Sequence, residues 1–154
     1  TSGDAVAAYA GKLTQAKRPL GFLRPATLVT VDQLASSTAR KFEYNLHTTV
    51  PLTGTATDFQ QIVTPATLCG TVRSPDALVQ SNTAGYTPAP TISAGPHYAN
   101  RFAYGTAKLK GLIVSVLRMD CAVAKPTVTF SGANATITVA GRVIAVTDLD
   151  VTVK

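Results

Sequence analysis

From Thr127 onward, β-branched residues recur at a period of two, and short glycine-containing turns interrupt them. Residues 127–130 lead into Ser131-Gly132-Ala133-Asn134, residues 135–139 into Ala140-Gly141-Arg142, and residues 143–146 follow, with Val151, Thr152 and Val153 near the end. Successive side chains of a strand point to opposite faces, so this spacing predicts a meander of half-buried antiparallel strands.

The same period recurs upstream. Across residues 40–49, Phe42, Tyr44, Leu46 and Thr48 fall on one face and Lys41, Glu43, Asn45 and His47 on the other. Residues 27–31 predict another strand, and residues 57–63 and 67–72 predict two weaker ones divided by Pro65. Ser74-Pro75-Asp76 predicts one helical turn through Ala77, Leu78 and Val79. Residues 102–117 form the central strands, in which Lys108-Leu109-Lys110 alternates before an apolar run, 112–117, that belongs in the interior.

Two stretches break the pattern. Residues 4–18 place Ala5, Val6, Ala8, Tyr9 and Leu13 at roughly helical spacing, with Ser2 or Asp4 as N-cap, Lys17 and Arg18 at the C-terminal end and Pro19 as a stop. They predict a short amphipathic helix. Residues 81–100 carry Asn82, Gly85, Pro88, Pro90, Gly95, Pro96 and Asn100, which predict one long irregular loop. The sum is a mainly β, single-domain chain. A short N-terminal helix occupies segment 1–20, and a body of about eight strands, 21–154, forms an antiparallel β-sandwich or a partly open barrel.

Composition narrows the function classes. The chain has 154 residues, of which 45% are hydrophobic and 14% charged, against a usual charged share of about 25%. A surface so poor in charge suits a secreted or envelope protein, or a subunit whose exterior is covered in an assembly. The longest apolar run is too short to span a bilayer. Met119 is the only methionine, and the first ten residues lack the basic and apolar regions of a retained signal peptide, so an initiator or longer leader is expected to have been removed.

Cys69 and Cys121 form an isolated pair. In an exported protein they would be bridged, closing a loop of about fifty residues and stabilising it by roughly 4 kcal/mol; in a reducing compartment they would be two small buried apolar groups. The low charge favours the bridge. His47 and His97 each lack a second ligand at metal-binding spacing, and no metal or other cofactor is expected.

The net charge is +6, and its positive excess lies toward the N-terminus. Lys12, Lys17, Arg18 and Arg24 are the candidate contacts for an anionic partner, either nucleic acid or an acidic protein. Candidate binding residues lie on or beside the long loop: Tyr86, His97, Tyr98, Phe102 and Tyr104 would offer rigid contact area with polar tips.

Three functions follow as expectations. The leading one is a structural or interaction subunit of an extracellular, cell-envelope or virion assembly, self-associating or joined to another protein, with no catalysis. The second is a monomeric secreted or periplasmic binding or inhibitor protein that uses the 82–100 loop. The third is a small basic secreted ribonuclease drawing on Arg40, Glu43, His47 and His97. In that third reading Glu43 and His47 share one strand face about 13 Å apart, too far to act together directly. No nucleophile elbow and no phosphate-cradling glycine loop occurs.

Overall fold

The computed structural model describes residues 2–55, 57–86, 95–147 and 151–153. It is built almost wholly of antiparallel strands arranged in three sheets. The largest has seven strands. It runs in the order β1 (Ser2–Asp4), β2 (Gln15–Leu23), β3 (Thr27–Arg40), β10 (Lys108–Met119), β7 (Ala66–Arg73), β6 (Asp58–Val63) and β5 (Thr53–Gly54). A second sheet orders β4 (Glu43–Thr48), β9 (Tyr98–Tyr104) and β8 (Leu78–Ala84). The third is the C-terminal meander of β11 (Thr127–Ser131), β12 (Asn134–Val139), β13 (Arg142–Val146) and β14 (Val151–Val153).

The large sheet is the middle layer, because both of its faces are apolar. One face, with Val29, Val31, Leu112, Val114 and Val116, packs on Ala135, Ile137, Val139, Ile144 and Val146 of the meander. The opposite face, with Ala16, Phe59, Val72 and Ile113, packs on Tyr44, Phe102 and Tyr104 of the three-stranded sheet. A strand buried on both faces reads as a continuous apolar run rather than an alternating one, which is why residues 112–117 show no period. Face-to-face sheets of this kind bury side chains from both partners in each intervening core. Gly70 in β7 permits one close approach, since a Cβ there would lie 2.0 Å from the Phe59 ring.

Three expectations are corrected. In place of an N-terminal helix the chain forms β1, a 3₁₀ turn at Val6–Tyr9 that buries no residue, and β2. Ala10 and Gly11 take positive φ of 47° and 74°, which breaks the segment before a helix can extend. Pro19 lies within β2, opposite Ser2, and does not terminate a helix. The turn expected at 77–79 is the start of β8, and β8 and β9 take up both ends of the expected loop. Residues 87–94 of that loop lie outside the described residues.

Cys69 and Cys121 are joined by a disulfide, with Cα atoms 5.1 Å apart. The bridge ties the connection between β10 and β11 to β7. Asp120 reinforces it, because the Thr67 amide donates to its carboxylate. No described helix is long and apolar enough to cross a membrane, and the disulfide is compatible with an extracellular setting.

Asp58 of β6 gathers charge beside this bridge. It accepts hydrogen bonds from Thr71 and Arg73 and pairs with Lys125 at 2.8 Å. Burial alone would raise its pKa, but the hydrogen bonds from Lys125, Arg73 and Thr71 outweigh that and hold it below the ordinary carboxylate value. The stabilisation is therefore present above the unfolded-state value of about 4 and is lost as pH falls through the lower folded value. Asp58→Asn should destabilise the protein at pH 7, and its deficit relative to wild type should shrink steadily below about pH 4. Urea midpoints of the two proteins across pH 2–7 check this. A deficit that does not change with pH would remove the electrostatic account.

Candidate functional site

The three-stranded sheet turns one face to the core and the other outward. Register sets which side chains share a face: Asn45 and Ser81 lie opposite Arg101, and His47 and Thr83 lie opposite Ala99. These residues alternate with the inward Tyr44, Leu46, Asn100 and Phe102, so the outer face is mostly polar, with the exposed Val79 toward its far end. Asn100 is fully buried between the layers. Its amide donates to the Leu46 carbonyl and to Thr48 Oγ1, and its Oδ1 accepts from Asn82. That network fixes the spacing of β4, β9 and β8 beneath the outer face.

At one end of this face three rings meet. His47 Nδ1 and His97 Nε2 are 2.7 Å apart, and His97 Nδ1 lies 2.9 Å from the Gly85 carbonyl. The two imidazole centroids are 4.9 Å apart with planes within 21°. That separation is what rings joined edge to edge through a short N···N contact give, so the pair is hydrogen-bonded in plane rather than stacked face to face. Tyr86 supplies the stacking: its ring lies 4.1 Å from that of His97 at 15°.

The hydrogen bonds assign the tautomers. A carbonyl only accepts, so His97 Nδ1 carries the proton. In the neutral ring, Nε2 then accepts from His47 Nδ1. His47 Nε2 is left with its lone pair on an exposed residue. The polarity of the relay, from His47 through His97 to Gly85, is thus set by one backbone group.

Arg101 stands in the next row of the face. It pairs with Glu43, whose carboxylate also accepts from Asn45 at 3.2 Å. The small Ala99 leaves a low floor between His47 and Thr83, bounded by Arg101 at one end and by His97 and Tyr86 at the other. The surface thus presents hydrogen-bonding groups, one guanidinium and one exposed aromatic face, arranged for a ligand that lies flat.

Of the five candidate binding residues, only Tyr86 and His97 belong to this face. Phe102 and Tyr104 are 0% and 2% exposed, and they form core contacts instead of a surface. Tyr104 meets Phe42 edge to face, and its hydroxyl bonds both the amide and the carbonyl of Leu112 at 3.0 Å. Burial raises the pKa of this hydroxyl, consistent with a neutral structural group. Tyr98 is half-buried on the inner side, opposite Thr48 and Ala84.

His47 joins the face from the set weighed for a nuclease, whereas Arg101 and Asn45 were not singled out by the sequence as a binding set. The signal for Arg101 was present as alternation in 98–104, where Tyr98, Asn100, Phe102 and Tyr104 point in and Ala99, Arg101 and Ala103 point out.

The four N-terminal cations do not gather. Lys12 precedes β2 and Arg24 follows it, at opposite ends of a nine-residue strand about 30 Å long. Lys17 lies opposite Asp4. Arg18 forms a bidentate pair with the nearly buried Asp32, with Nη2–Oδ2 at 2.7 Å, and lies 5.7 Å from the Tyr44 ring centre. Its hydrogen bond to Asp32 raises its already high pKa.

Among the described residues no three His, Cys, Asp or Glu side chains gather as metal ligands.

No protein-family model and no curated protein sequence matches the chain. Solved structures of heparinase III share its fold. One heparinase III gene product aligns with a TM-score of 0.61 at 12% identity over 91% of this chain, and its methylated-lysine form aligns at 0.59 and 12% over 93%. A further heparinase III crystal structure gives 0.60 at 9% identity over 92%. The chain spans 23% of the length of each of these proteins. At such identities the likeness is one of fold.

Proposed function

We propose that this chain is an extracellular β-sheet module that works within a longer carbohydrate-active protein, and that the outer face of its three-stranded sheet binds an acidic polysaccharide. The observation that carries this reading is the exposed Tyr86–His97–His47 array beside Arg101. An aromatic face suits the apolar side of a sugar ring, while the imidazoles, Asn45 and Arg101 suit hydroxyl and anionic groups. The net charge of +6 favours a polyanion. Heparinase III, by its name an enzyme acting on heparin, contains this fold as a fraction of its chain, which supports both the ligand class and the dependence on a larger protein.

Heparin and dextran serve as the charged and neutral probes in calorimetric titrations at fixed salt. Wild type should bind heparin and ignore dextran. His47→Ala/His97→Ala and Arg101→Ala should each weaken heparin binding by about tenfold, with unchanged thermal midpoints. Equal affinity in all three proteins would sink the proposal.

One observation favours a second reading, the interaction subunit without catalysis. Among the described residues, the β6 strand is covered on its outer side only by the two-residue β5. Beyond that pairing it exposes Ile62 and Val63 at 57% and 45%. An uncovered strand edge with apolar side chains favours pairing with another chain. Light scattering at rising protein concentration tests it: a reversible dimer abolished by Ile62→Lys/Val63→Lys supports this reading, and a monomer throughout removes it.

A further inference from the structure

Arg118 is a buried cation with too few partners. It sits in β10 in register with Cys69 of β7, and Cys69 in turn is in register with Gln60 of β6. The residue is 7% exposed. Its Nη1 donates to the Val123 carbonyl at 2.6 Å, whereas its buried Nε has no hydrogen-bond partner among the described residues. The neighbouring carboxylate, Asp58, is already engaged by Arg73 and Lys125. Burial lowers the pKa of Arg118, but a guanidinium remains charged across the accessible range.

These groups line a recess of about 370 Å³, in which Arg118, Lys125, Asp58, Gln60 and Thr53 supply the polar wall. With Arg73 behind Asp58, three cations surround a single carboxylate. A buried charge whose neighbouring carboxylate is shared with two other cations is poorly compensated, and a buried donor left unmade adds to the cost. A ligand that supplied negative oxygens to the recess would relieve the charge imbalance. The recess is also a built one: the Cys69–Cys121 bridge and the Asp120–Thr67 contact hold the 120–126 connection across the sheet, placing the Val123 carbonyl and Lys125 beside Arg118.

We propose that this recess binds one oxyanionic group, a sulfate or carboxylate, with Arg118 and Lys125 as its ligating side chains. The site is separate from the histidine face and does not depend on it. The planar guanidinium of Arg118 and the Lys125 ammonium, both on the wall of the recess, match two oxygens of one such group. The group could arrive as a free inorganic ion or as a substituent of an acidic saccharide.

The side-chain Nε–Hε resonance of Arg118, followed by NMR, reads this directly. The probes are sodium sulfate and a heparin-derived hexasaccharide, each against sodium chloride at matched ionic strength. Sulfate should shift the resonance saturably. Lys125→Ala should weaken that response by about tenfold while leaving the fold intact, and Arg118→Lys should abolish the sulfate-dependent rise in thermal midpoint. A response to both probes, with competition between them, identifies a group carried on a saccharide; a response to sulfate alone identifies a free anion. Either supports the site. The His47→Ala/His97→Ala variant should keep the full response, which separates this inference from the polysaccharide-binding face. A resonance that moves no more with either probe than with chloride overturns it, as does an undiminished response in Lys125→Ala.

Discussion

Truncating Phe102 to alanine should lower the free energy of unfolding by about 3–5 kcal/mol, among the largest losses available to a single substitution in this chain. Phe102 is fully buried, 5.4 Å from the Phe59 ring and 6.1 Å from that of Tyr44. It joins the three-stranded sheet to the middle layer, and its neighbours are aromatic rings in a core of two rigid sheets, which relaxes poorly around a cavity. Phe102→Leu should cost markedly less, because it keeps most of the apolar volume. Urea denaturation with an unchanged slope and a lowered midpoint is the expected readout. A loss under about 1 kcal/mol would mean that the sheet is held mainly by its flanking connections and not by this core.

Phe102 also links stability to the binding face. Arg101, Ala99 and Phe102 belong to the same strand on alternate sides, so whatever loosens the inner face disturbs the outer one. Heparin affinity of Phe102→Ala, measured well below its unfolding midpoint, should fall less than that of Arg101→Ala, since the latter removes a contact and the former only its support.

Replacing the disulfide by Cys69→Ala/Cys121→Ala should cost about 4 kcal/mol, the chain-entropy value for a sequence separation of 52. The effect acts chiefly on the unfolded chain, where the bridge closes a long loop. Equilibrium unfolding of the wild type with and without reductant should show the same difference as the double variant. Equal stability of the oxidised and reduced proteins would refute it. A local consequence accompanies the global one. Without the bridge, the 120–126 connection is held by Asp120 against Thr67, the Arg118–Val123 bond and the Lys125–Asp58 pair. The response of Arg118 to sulfate should therefore weaken in the double variant even where it remains folded.

The elements legible in advance were those whose pattern has a local cause. The C-terminal meander follows from β-branched alternation and from turns that need a positive φ, supplied at Gly132 and Gly141 with φ of 60° and 69°. The polar and apolar sides of β4 were likewise assigned from alternation alone, including the outward His47. The N-terminal segment misled because small apolar residues at helical spacing carry little burial, and the 3₁₀ turn they form buries none of them. Pro19 was equally ambiguous: it stops a helix, yet it is tolerated near a sheet edge, where a missing amide costs less.

Strand 98–104 was hidden in a different way. Its prolines and glycines lie just before it, and the density of turn residues from 81 onward masked an alternation that begins at Tyr98. Turn-residue density alone assigns Phe102 and Tyr104 to a surface, whereas their period assigns them to the core.

Local chemistry along the chain thus dictates that this protein is made of antiparallel strands, which faces of the clearest ones are apolar, and that two cysteines are available to bridge. Tertiary structure alone decided the rest: that one sheet lies between two others, that His47 meets His97 fifty positions away, that Arg18 is neutralised by Asp32, and that Arg118 has only a carboxylate already paired with Arg73 and Lys125 beside it. The reason is physical. Strand formation depends on side-chain period and turn geometry within a few residues, whereas sheet order and charge pairing are set by which distant surfaces exclude water together.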